Sequence, residues 1–345
     1  MPQIRHNEQR LEDFSPLLEL VERDQNLLER FNWFDKDYLT GTLASFERIT
    51  SGTDDMGVVA RGADRQVAGD DIAENFHMEV PFFTLDKSAK AHEAQDLRTF
   101  ATADDVETVA KRVTRIVSRI QRSHARVMKK VMYAALKGST YAVDKAGNPV
   151  ASLTKTFQSM FNIDNSKMFK GNAGGAANLS LASSAPSPFV DFATFRDHII
   201  EVAQDGIEGG DDYEIMLICG TQAFNAIKDH DAVQEAFANY TDGASLRQRL
   251  GGLKNNRVFE HDGLIIMEDR SGQIGTLEGV ILAPELCDFQ LKFAPADAIG
   301  YENTVAEEAY MFMEEGTRKV TVESETSVVA CNTRPEVVGR YTFTV

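Results

Sequence analysis

Two hydrophobic periods run through this chain, one helical and one of strands. The clearest helical pattern lies between Thr102 and Gly138. Val106, Val113, Ile120 and Val127 recur every seventh residue, and Val109, Ala110, Ile116, Val117, His124 and Val131 widen the stripe. Thr102 and Asp105 fit a capping pair, and Gly138 suits the left-handed closing position. The pattern predicts a helix over about 103–137, roughly 50 Å long at 1.5 Å per residue. Ser123, His124 and Lys130 interrupt the second seam of a coiled coil, so a sheet is the expected partner of the apolar face.

The remaining elements follow in order. Leu11 to Phe34 carries apolar residues at roughly helical spacing and predicts an amphipathic arm. Phe76, Met78, Val80 and Phe82 alternate with polar residues or proline, a period-two strand. Its partner falls within Ala44 to Val59, which makes a long hairpin of Leu43 to Phe83. Arg61 to Asp71 forms its charged, small-residue tip. Gly171 to Pro188 reads as loop. Phe192, Phe195, Ile199 and Val202 predict a helix that Asp191 caps. Tyr213 to Cys219 is a continuous apolar run, the mark of a strand buried on both faces. With the helices after Thr221 and Asp231 and the strands within 257–282, residues 191–288 form an alternating α/β unit. Val320 to Cys331 and Tyr341 to Val345 return to strand alternation.

Charge changes the picture at one place. The 345-residue chain has a formal net charge of -17, yet no acid follows Glu107 in the long helix. Its other faces carry Lys111, Arg112, Arg115, Arg119, Arg122, Arg126, Lys129 and Lys130. A solvated face is one reading; a surface for a polyanion or an acidic neighbour is the other. The acidic balance excludes nucleic-acid binding by the whole surface. Cys219, Cys287 and Cys331 are too dispersed for a metal site or a disulfide framework. No apolar run reaches membrane-spanning length, and a signal-peptide core is missing from the N-terminus. The glycines of 171–188 lack the Lys-Ser or Lys-Thr pair of a phosphate loop, and the histidines are scattered. Residue chemistry alone therefore describes an α+β protein with no catalytic constellation, no metal and no cofactor.

The C-terminal third adds a resemblance. Phe293-Ala-Pro-Ala-Asp297, Asn303-Thr304, Tyr310, Glu323-Ser-Glu325 and Arg334-Pro335 occur in an order similar to the end of the lambda-type major capsid proteins of tailed bacteriophages. The arm, the hairpin, the helix ending in Ala-Leu-Lys-Gly138, the turn with Asp144 and Gly147, and Leu217-Ile-Cys-Gly220 follow the same order upstream.

That resemblance implies the Hong Kong 97 fold and a non-enzymatic head protein. It would assemble into hexamers and pentamers of an icosahedral shell around double-stranded DNA. Residues 1–42 become the N-terminal arm and 43–83 the extended loop. Residues 84–190 and 289–345, with the spine helix 103–137, become the peripheral domain, and 191–288 the axial domain. Expected partners are further copies of the chain, a separate scaffold protein, a portal, optionally a decoration protein, and packaged DNA without sequence preference. The implied location is the virion, after assembly in the host cytoplasm. Phe31, Trp33, Phe34, Arg61, Asp64, Arg65, Asp70 and Asp71 are the expected inter-subunit contacts. Arg112, Arg115, Arg119 and Arg126 are the expected interior basic face. No lysine–asparagine pair can be assigned to a covalent cross-link, so noncovalent contacts are expected. The alternatives are an encapsulin-like nanocompartment shell of the same fold, and an α/β enzyme built on 191–288.

Overall fold

The computed structural model describes residues 11–13, 26–50, 72–90, 109–171, 176–182, 185–204, 213–238 and 257–345. The chain divides into two compact units. The first comprises Met1–Ala44, Met78–Met132 and Leu291–Ala330; the second comprises Ser45–His77, Tyr133–Gln290 and Cys331–Val345.

The first unit is built on a seven-stranded sheet. Its path runs β1 (Leu11–Asp13), β13 (Tyr310–Glu315), β14 (Lys319–Asn332), β12 (Phe289–Ala294) and β2 (Phe34–Tyr38). β5 (Phe82–Thr84) and β6 (Lys87–Lys90) also pair with β14. The long helix is described over Val109–Leu136; the expected cap at Thr102 and Asp105 lies outside the described residues. Ile116, Val117 and Ile120 pack with Ala89, Met311 and Val322 of the strands. Around Val113 and Ile120 the seven-residue stripe therefore meets a sheet. Gly138, at φ +83°, closes the helix. Ser139 N donates to Ala134 O at 3.1 Å and Gly138 N to Ala135 O at 3.0 Å, which caps two carbonyls of the last turn.

The arm departs from expectation at its start, where Leu11–Asp13 is a strand antiparallel to β13. Residues 14–25 of the expected helix lie outside the described residues. Leu27–Phe31 is helical, with Asn26 and Glu29 forming a reciprocal capping box. Asn32 ends it in the left-handed region at φ 52°, and Phe34 then starts β2.

The second unit holds a six-stranded mixed sheet in the order β7 (Ala177–Ser180), β15 (Val338–Thr344), β11 (Glu278–Leu282), β8 (Ile215–Gly220), β10 (Leu264–Asp269), β9 (Val258–His261). β8 pairs in parallel with β10 and antiparallel with β11. All six β8 residues are buried, as a continuous apolar run requires. Helices Pro188–Gln204, Thr221–Asp229 and Asp231–Ala238 supply Phe192, Phe195, Ile199, Phe224, Ile227 and Val233 to its core. Asp191 stands in the first turn of a helix that starts at Pro188, so it does not cap; Lys170 Nζ reaches its carboxylate at 2.6 Å. β7 lies within the stretch read as loop, paired with β15. That pairing, with β15 beside β11, places the last strand in this unit.

The hairpin strands are β3 (Leu43–Thr50) and β4 (Ile72–Glu79), a separate two-stranded sheet.

Candidate assembly surfaces

The hairpin follows its alternation at the root. Ala44 and Phe46 are fully buried, and Met78 and Val80 nearly so. Phe82 breaks the pattern at 47% exposure, because the chain passes buried Pro81 and enters β5. Leu43 is 61% exposed. Arg61, Asp64, Arg65, Asp70 and Asp71 lie outside the described residues.

In the arm, Phe31 and Trp33 stack with centroids 4.6 Å apart. Both are half-buried, whereas Phe34 is buried in its own unit. These aromatics are adjacent because Asn32 reverses the chain between them.

The basic face of the long helix is present as spaced. Arg115, Arg119, Arg122 and Arg126 are exposed, and Arg112 is half-buried. Positions 115, 119, 122 and 126 step by four, three and four residues and so form one stripe. Among the described residues, Arg119, Arg122 and Arg126 enter no ion pair. Thr114 and Ser118 flank the stripe, and among the described side chains of this helix no large apolar residue is exposed.

The C-terminal motif residues tie the first unit together. Asp297 N donates to Glu325 Oε1 at 2.9 Å. Ser324 Oγ donates to Leu85 O at 2.7 Å, and Thr326 Oγ1 to Glu308 O at 2.7 Å. Burial first, then the neighbouring Asp297, Asp86 and Glu323 charges, push the Glu325 carboxyl above its usual range. Tyr301 meets Tyr310 and Phe312 edge-on. Between these anchors the loop presents Ile299 and Val305 at 79% and 65% exposure.

An active site of the α/β type would lie beyond the C-terminal ends of β8 and β10. The chain fills that place. A Cβ on Gly220 would come within 2.1 Å of Gly275 O. Asp269 accepts from Tyr133 Oη at 2.9 Å and from Ser271 N and Oγ. Burial and the Asp269 charge raise the Tyr133 pKa, so its hydroxyl stays a donor. Glu268, with no exposed side-chain area, takes a fork from Arg257 at 2.7 and 3.0 Å and a third bond from Arg270. Those guanidinium groups hold its pKa at about 2. Arg257 also covers the Phe224 ring at 4.8 Å. The cavity lined by Lys137, Phe169 and Gly339 holds about 30 Å³ and that lined by Phe192 and Arg196 about 10 Å³. Small-molecule sites are about ten to a hundred times larger. Asp269 and Glu268 thus bind neighbouring parts of the same unit together. Sequence inspection missed Arg257, Glu268, Arg48 and Glu336; the only signal was an acidic residue inside an apolar strand, as in Ile-Ile-Met-Glu268.

A sequence family described as phage major capsid protein E matches residues 18–343. The chain belongs to that family. No curated protein matches it. Among solved structures, the mature capsid of bacteriophage PhiM1 aligns at a TM-score of 0.52 and 10% identity, covering 94% of this chain and 88% of that one. A protein assigned as the capsid protein of an E. coli CFT073 prophage aligns at 0.52 and 8%, covering 97% and 99%. The capsid of cyanophage P-SCSP1u aligns at 0.50 and 8%, covering 94% and 90%. At these identities the likeness shows the fold, which is the Hong Kong 97 type of phage capsid proteins. The family match favours a phage capsid protein over an encapsulin-like shell. In this phage capsid protein, the Ala-Pro-Ala-Asp and Glu-Ser-Glu motifs meet through the bond from Asp297 N to Glu325.

Proposed function

We propose that many copies of this chain assemble into hexamers and pentamers of an icosahedral tailed-phage head around double-stranded DNA, without catalysis. The family match over residues 18–343 carries the reading. The isolated two-stranded hairpin supports it, since such a pair needs a further layer that another copy can supply. In this reading 43–83 is the extended loop, the long helix with the seven-stranded sheet is peripheral, and 191–288 is axial. A separate scaffold, a portal and optionally a decoration protein complete the particle, which is built in the host cytoplasm. Electron microscopy of the purified, concentrated protein should show rings or closed shells. A sample that stays monomeric under all assembly conditions would overturn the reading.

The arginine stripe belongs to the inner surface in this proposal and meets DNA phosphates. The lack of exposed apolar anchors beside it argues for a polyanion over a folded protein partner. Changing Arg119→Gln and Arg126→Gln should leave empty shells intact and weaken DNA retention. The log-log salt dependence should fall by roughly 2, at about 0.9 per phosphate no longer neutralised. Unchanged retention would assign the stripe to solvent.

A further inference from the structure

The root of the hairpin carries a polar contact that shell formation by itself does not require. Strand alternation puts Ala44, Phe46 and Arg48 on one side of β3. Ala44 and Phe46 are fully buried, and the Arg48 side chain is 12% exposed. Arg48 Nη2 donates to Glu336 Oε1 at 2.8 Å across 288 residues of sequence. Glu336 stands in the short turn Pro335–Val337 that leads into β15, with a side chain 3% exposed. His198 Nε2 lies 3.0 Å from the Glu336 carbonyl oxygen. Burial raises the Glu336 pKa against the pull of Arg48, Arg334 and Lys167.

The pair is joined by one hydrogen bond only. Arg48 Nη1 and Glu336 Oε2 are both buried with no hydrogen-bond partner among the described residues. A buried pair recovers its desolvation cost when all its donors and acceptors are satisfied, and this one leaves two unsatisfied. Stability alone is thus a poor reason for it. Direction is a better one. The apolar contacts of Ala44 and Phe46 are non-directional. Shifting β3 by two residues would keep the same alternation facing inward. Such a shift would set Phe46 or Thr50 opposite Glu336 and bury its carboxylate without a counter-charge.

We propose that the Arg48–Glu336 pair is a positional key: it sets the register of β3 around Arg48 within the second unit, to which both residues belong, and contributes no net stability. The proposal concerns one chain; its consequence for where a hairpin meets a neighbour rests on the shell reading above. The test is a double-mutant cycle of Arg48→Met and Glu336→Leu in the full-length, unassembled protein. Urea midpoints measure stability. Nitroxide labels at the exposed positions Glu74→Cys and Lys228→Cys, in a Cys287→Ser background, measure the hairpin position as a distance distribution by electron spin resonance.

Each single variant should lower the midpoint, and the double variant should return it to the wild-type value or above. The double variant should also broaden the distance distribution or add a second peak. A double variant that unfolds or has a lower midpoint than wild type would show the pair to be net stabilising and overturn the proposal. A stable double variant with an unchanged distribution would overturn it too, as would single variants that lose nothing. Because the readings are taken on unassembled chains, none of these results depends on whether shells form.

Discussion

A chain lacking residues 57–71, with β3 and β4 rejoined through a short turn, should fold normally and form no closed shells. This is the largest functional effect expected of any change outside the core. Among the described residues, β3 and β4 pair only with each other, and an isolated pair of strands is marginal in water. Their root is held within the chain by Ala44, Phe46, Met78 and Val80, all buried. Residues 73–75 of β4 are exposed, so among the described residues nothing covers this part of the strand. In the proposed assembly a neighbouring copy would supply that layer. The charges of both signs at Arg61, Asp64, Arg65, Asp70 and Asp71 would then set register more than affinity. Circular dichroism should match wild type, because the two large sheets and the long helix lie outside the deleted segment. Electron microscopy of the same sample should show no particles. Intact particles would mean that the hairpin is dispensable and its assignment as the extended loop is mistaken.

The largest stability effect is expected at Arg257→Met. Glu268 is fully buried and its fork from Arg257 is bidentate. Removing one partner of a fully buried pair costs about 3–5 kcal/mol. The Arg257 side chain is 35% exposed, Arg270 still reaches Glu268 at 3.1 Å, and methionine keeps the apolar cover on Phe224. A loss of about 2 kcal/mol, below that range, is therefore expected at neutral pH.

The pH dependence has a definite sign. The wild-type Glu268 pKa is depressed from 4.5 to about 2. Its stabilising contribution is thus complete above 4.5 and is lost as the pH falls toward 2. In the variant the carboxyl takes a proton at higher pH. The gap between variant and wild type should narrow as the pH drops from about 4.5 toward 2. Denaturant titrations at several pH values would read this. A loss below about 1 kcal/mol, the range of a surface pair, would show that the fork is not a buried one, and a pH-independent gap would rule out Glu268 as its cause.

Several features were legible in the residues alone because they are local. The long helix was visible in its seven-residue stripe and in Gly138. β8 was visible in Ile215 to Cys219, where every side chain had to be apolar to lie between two strands under helices. The alternation of Phe76, Met78 and Val80 marked β4. The arginine stripe was legible because helical spacing alone aligns its members. The order of the C-terminal motifs pointed to the capsid family before any fold was known.

What only the tertiary structure decided is non-local. Leu11–Asp13 became a strand because Phe312 to Glu314, some three hundred residues away in the chain, offered it an edge. β15 joined the six-stranded sheet because both β11 and β7 could pair with it. Glu268 and Glu336 resemble solvated acids in sequence. Their burial was decided by what packs over them, and Arg257 and Arg48 became their partners only through the folded geometry. Periodicity specifies which face of an element is apolar. It does not specify which distant element covers that face, because that choice depends on loop closure and on the unpaired edges available in the whole fold.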